Sequence, residues 1–176
     1  MSVKDKKRTE EIKSLLLSGD NEKVLTAIER LDECPSAELV QPLLVVYASN
    51  SDPEVKMKLN EVLTTLKVSG LEDMFIKAIQ AKEFAHCRKD LIHFMWSSNI
   101  QPVEGWMHIA ELAANGTFEE CIEVLSLLDN TEQELLEEEL LAAVSILTMA
   151  LNEQPDDEAA PIRKVLLEGF SDRLNQ

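Results

Sequence analysis

The sequence predicts an all-α protein, a stack of about ten helices in five antiparallel pairs. Three observations point there. First, an apolar register with steps of four and three recurs at Val24-Ile28-Leu31, Val55-Leu59-Val62, Cys87-Leu91-Phe94 and Phe118-Ile122-Leu125. The starts lie 31, 32 and 31 residues apart, a period of stacked helical repeats. Second, strand signals are nearly absent: only Leu43 to Tyr47 is rich in β-formers, and it fits a helix equally well. Third, helix-start and helix-stop residues bracket the apolar runs.

Taken in order, residues 1–7 read as a basic, disordered tail. A helix over 9–18 carries Ile12, Leu15 and Leu16 on one face and ends at Gly19. Its partner runs from Asn21 to Cys34, capped by Asp20 or Asn21 and stopped by Pro35. The next helix covers 36–49 with Pro42 inside it, where a lost backbone bond predicts a kink. Asp52 is a good N-cap for 53–67, with Pro53 at the first helical position. Gly70 breaks the chain before 71–81. Helices follow over 84–98, 103–115 and 118–129, the last capped by Thr117. Thr131 with Glu134 reads as a capping box for a long helix to Asn152. The stretch 154–158 is an acidic loop, and 159–174 closes the stack with a weaker copy of the register at Ile162, Leu166 and Phe170. Leu140 to Leu151 is apolar on nearly all sides. The final helix covers it, or part of it is a docking surface for another subunit.

From Leu39 to Leu66 the chain offers Leu39, Pro42, Leu43, Asp52, Val55, Lys56, Leu59 and Leu63. This resembles a HEAT repeat, whose pattern has Leu-x-x-Pro-Leu in the first helix, Asp in the turn, then Val-Arg and a spaced apolar stripe. Lys56 stands where the family usually has Arg, and the other copies are looser. The resemblance implies a right-handed α-α superhelix, one HEAT-like domain over 1–176, with four regular repeats in 8–129 and a longer capping pair in 131–174. It also implies that second helices line a concave side, which makes Lys56, Asn60, His86, Lys89, Asp90, His93, Glu119 and Glu123 candidate partner contacts. Enzymes on similar scaffolds offer comparisons. Deoxyhypusine hydroxylase holds iron with His-Glu pairs, and none of the three histidines here precedes Glu. HEAT-like DNA glycosylases need a basic surface, and bilin lyases share only the fold.

Charge is the most unusual feature. Of a net −16, the stretch from Asp90 to Ile162 carries 16 acidic residues and no Lys or Arg. The rest balances at 17 basic against 17 acidic residues, with Lys4, Lys6, Lys7 and Arg8 bunched at the start. Such a surface keeps a domain soluble, or steers in a basic protein partner. It argues against nucleic acid, which needs clustered cations. No apolar run has the length of a membrane span, and the Lys-rich start lacks the apolar core of a signal peptide. Cys34, Cys87 and Cys121 show no C-x-x-C spacing, and an odd set of thiols on helix stripes suits the reducing cytoplasm.

Candidate chemistry is sparse. His86, Asp90 and His93, spaced four and three, fall on one helix face and could contribute to a metal site. One helix rarely supplies three ligands, so solvent-exposed side chains are the simpler reading. Catalytic and phosphate-loop motifs are absent, and no cofactor is expected. His108 reads as a core residue, as does Trp106, which shares a face with Val103, Ala110 and Ala113. Trp96 lies off its helix's main stripe; if exposed, it is the best single anchor for a partner. The expected function is a non-catalytic protein-binding scaffold. The alternatives are an enzyme on the same scaffold, lyase or metal-dependent, and a structural subunit self-associating through its end helices.

Overall fold

The computed structural model describes residues 3–33 and 35–175. Among them ten α-helices follow one another and no strand occurs: α1 (Val3–Leu16), α2 (Asn21–Glu29), α3 (Val40–Ser49), α4 (Pro53–Leu63), α5 (Glu72–Gln80), α6 (Arg88–Ser97), α7 (Trp106–Asn115), α8 (Phe118–Asn130), α9 (Glu137–Glu153) and α10 (Ala160–Leu174). The β-rich stretch at Leu43 lies in α3. Where a polar side chain can reach the first turn, the helix starts as expected. Asp20 accepts from the Glu22 and Lys23 amides, and Asp52 from those of Glu54 and Val55. Thr117 and Glu120 form a reciprocal capping box.

Several expectations change. Residues 3–7, read as a disordered tail, form the first turns of α1; their three lysines are good helix formers. Cys34, expected in the second helix, lies outside the described residues. Pro42 lies in the first turn of α3 rather than inside a longer helix, because a 3-10 turn at Ala37–Leu39 precedes α3. Its missing N–H is one that a helix start leaves unpaired anyway. α4 stops at Leu63, four residues early: the Thr64 and Thr65 hydroxyls donate to the Asn60 and Glu61 carbonyls and close its end. Lys82–Cys87 is a 3-10 segment ahead of α6.

Thr131 closes α8 rather than opening the next helix. Its buried hydroxyl donates to the Leu127 carbonyl at 2.7 Å. With that hydroxyl committed backwards the capping box with Glu134 does not form, and α9 begins at Glu137 with three glutamates in its first turn, where the helix dipole favours them.

The chain forms two compact units, one ending at Leu71 and the other beginning at Glu72. In the first unit α1 packs on α2 and α3, and α4 packs on α2 and α3. Ile12, Val24, Leu43, Leu44, Val55 and Leu59 fill its core. In the second unit α7 lies against α5 and α9, while α8 lies against α6 and α10. α5 meets α6, α7 meets α8, and α9 meets α10.

Hydrogen bonds give the directions in the second unit. Arg163, near the start of α10, bonds the Ala113 and Gly116 carbonyls just before α8, and Arg173, near its end, bonds Leu128 and Thr131. α8 and α10 therefore run parallel. Trp106 is fully buried; its indole donates to the Pro102 carbonyl at 2.7 Å and its ring meets Phe170 edge-on. Ala110 and Ala113 are buried as well, whereas Val103 is exposed.

The repeated register is not buried throughout. Val24, Val55, Leu59, Cys87, Leu91, Phe94, Leu166 and Phe170 are core residues. In α8, by contrast, Phe118 and Ile122 are 39% and 40% exposed. That helix buries Cys121, Val124, Leu127 and Leu128 instead. It carries two apolar stripes, and the one matching the repeat faces solvent.

Candidate functional site

On the α6–α8 face of the second unit, two of the sequence candidates meet. His93 lies in the middle of α6, and Trp96 follows three residues on, hence on the same side of the helix. Glu123 of α8 reaches between them. One carboxylate oxygen, Oε2, accepts the Trp96 indole N–H at 2.7 Å and pairs with His93 Nδ1 at 3.2 Å. A carboxylate only accepts, so the pairing selects the His93 tautomer with its proton on Nδ1. The two rings stand edge to face with centroids 4.8 Å apart. Glu123 is only 19% exposed and His93 36%, so the carboxylate is held at the surface by a half-buried aromatic clamp. One turn earlier, Arg88 Nη1 lies 4.0 Å from Glu120.

The remaining candidates are dispersed. Lys89 and Glu119 are exposed on α6 and α8. His86 sits in the 3-10 segment before α6, so its spacing to Asp90 and His93 is not helical spacing along one α-helix. His93 is turned to Glu123. Among the described residues no group of three or more His, Cys, Asp or Glu is placed to hold a metal ion. Lys56 and Asn60 belong to the first unit. Lys56 donates to the Tyr47 carbonyl and lies 3.9 Å above the Tyr47 ring, which commits its charge within its own unit. Asn60 is exposed. His108, read as core, is half-exposed and pairs with Glu111 at 3.2 Å.

Two features escaped the sequence reading. Trp96 reads there as a partner anchor, but its joint contact with Glu123 and His93 does not; its i, i+3 relation to His93, with Glu123 27 residues on, is the signal that could have found it. The first unit also holds an apolar cleft of about 550 Å3 between the end of α2 and the end of α4, lined by Ile28, Leu39, Leu43, Val62 and Leu66 among others. Ser36 accepts there from the Glu38 amide and Thr65 donates to Glu61, and Asp32 and Lys67 also line the cleft.

Cys121 is buried beside the Ala113 carbonyl, to which its thiol donates at 3.3 Å. Burial pushes the thiol up to about 11, although the nearby Arg163 guanidinium acts in the opposite direction. A thiol so placed is not a nucleophile.

No protein-family model matches the chain, and no curated protein or solved structure matches it significantly. No described helix is long and apolar enough to cross a membrane.

Proposed function

We propose that the chain is a HEAT-like solenoid that binds a protein or peptide partner without catalysis, through the acidic face of its second unit. The solenoid reading rests on the parallel run of α8 and α10, the stacking of alternate helices within each unit, and the 31-residue period. The binding reading rests above all on the Trp96–Glu123–His93 clamp. It fixes an aromatic ring and a carboxylate at the surface, inside a stretch of 16 acidic residues without a single Lys or Arg. Rigid aromatic anchors beside complementary charge are what hot spots are made of. Cys121, a buried thiol that donates to the Ala113 carbonyl, accords with a cytoplasmic home.

Capture of partners from an extract of the source organism, at low and at high salt, tests the reading. The expected result is a protein retained at low salt, released at high salt and lost with a Glu119→Lys, Asp129→Lys variant. Equal capture by wild type and variant overturns it.

A second reading, self-association through the end helices, has one observation in its favour: Leu141 and Met149 of α9 are 50% and 58% exposed. Light scattering across protein concentration separates a self-associating subunit from a monomeric binder.

A further inference from the structure

The exposed register of α8 leads further. Phe118 and Ile122 are spaced by four, so they form one stripe along the solvent side of the helix. α10 runs alongside. Gly169 meets α8 there: a Cβ at this position would come within 3.1 Å of Leu128. Val165, one turn earlier on the same side of α10, is 45% exposed. Two helices in contact thus each carry exposed apolar side chains, with Gly169 where they meet, and we read this as a shallow groove with apolar walls. Carboxylates flank it, with Glu119 beside Phe118, Asp129 about three turns further along α8 and Asp172 one turn past Gly169, all three exposed.

We infer that this groove takes an amphipathic helix whose apolar stripe is bordered by Lys or Arg. This deepens the protein-binding reading above and rests on it. The charge chooses the guest. An acidic or neutral apolar helix would find the same walls but would meet uncompensated carboxylates, whereas a basic one pairs with them. An apolar stripe with anchors at i and i+4 fits walls presented at that same spacing. A purely basic extended segment would leave Phe118, Ile122 and Val165 in water.

The test uses the full chain and three synthetic peptides about five turns long, read by fluorescence anisotropy at low salt. The first is a Leu/Lys helix with one apolar stripe, the second its scrambled isomer, and the third a Leu/Glu helix with the same stripe. The expected result is that the first binds, and that the other two are weaker by about tenfold or more. Phe118→Ser with Ile122→Ser then weakens the first peptide by about tenfold while circular dichroism stays unchanged. Because those side chains are exposed, the variant keeps its core; Val165→Glu provides an independent second disruption of the same wall. If the scrambled peptide binds as well as the striped one, or the Phe118 and Ile122 variant binds it unchanged, the inference is overturned and charge alone recruits the partner. If no peptide binds, the inference is overturned too, while the extract capture still decides the broader reading separately.

Discussion

A single oxygen of Glu123 receives both the Trp96 and the His93 nitrogens, and a hydrogen bond to a charged group is worth about 1.5–3 kcal/mol. Glu123→Ala should therefore free the Trp96 ring. The expected result is a red-shifted tryptophan emission, with the buried Trp106 unaffected, and a stability loss of about 1–2 kcal/mol in urea unfolding. Arg163 is a second decisive side chain. It is 2% exposed, bonds two carbonyls at the end of α7 and lies 3.1 Å from Asp157. Arg163→Met leaves those groups unpaired and should cost about 3 kcal/mol; Arg163→Lys should not restore the loss, because a point charge cannot replace the fork. For Cys121 the sign is fixed by its raised folded value. The folded thiol keeps its proton up to about 11, whereas an unperturbed one releases it near 9.0. Stability from this group is full below 9.0 and is lost as pH rises toward 11. Cys121→Ala should flatten that part of the stability profile, as measured by chemical unfolding at pH 8, 9 and 10.

At the scale of an element, α7 shows how one helix start is set by another helix. Glu139 of α9 accepts the Gly105 amide at 3.2 Å and the Met107 amide at 2.7 Å. Gly105 holds φ at +93°, and a Cβ there would come within 3.1 Å of Ile76. Glu139→Ala should lower the melting midpoint through about 1–2 kcal/mol of lost capping. Gly105→Ala should cost about as much through backbone strain. Neither was legible in the sequence, since a cap supplied from 34 residues away leaves no local signature. Local caps were legible at Asp20, Asp52 and Thr117 because the acceptor and its amides lie within one turn. Thr131 misled for the same reason: its hydroxyl could serve either helix, and only packing decides. The apolar register was legible as spacing, but not which of the two stripes on α8 would be buried.

Across the whole molecule, the repeat period carried more information than any single motif. His93 and Glu123 lie 30 residues apart, and Asn50 donates to Asn21 across 29. Residues one period apart thus become neighbours on stacked helices in each unit. That made the all-α class readable, whereas the meeting of His93 and Glu123 shows only in the packing. It could not reveal the division after Leu71, nor the withdrawal of Lys56 onto Tyr47, which depend on contacts rather than spacing. Segregation of charge was readable directly, and it gives the second unit the face on which the account turns. The most direct measurement places a photo-crosslinking amino acid at Ser126, on the outer side of α8, or at the exposed Thr148 of α9, and irradiates the protein with its captured partner. The account predicts a crosslink to the partner from position 126 and none from 148. A crosslink to a second copy of this chain from 148, with nothing from 126, would contradict it.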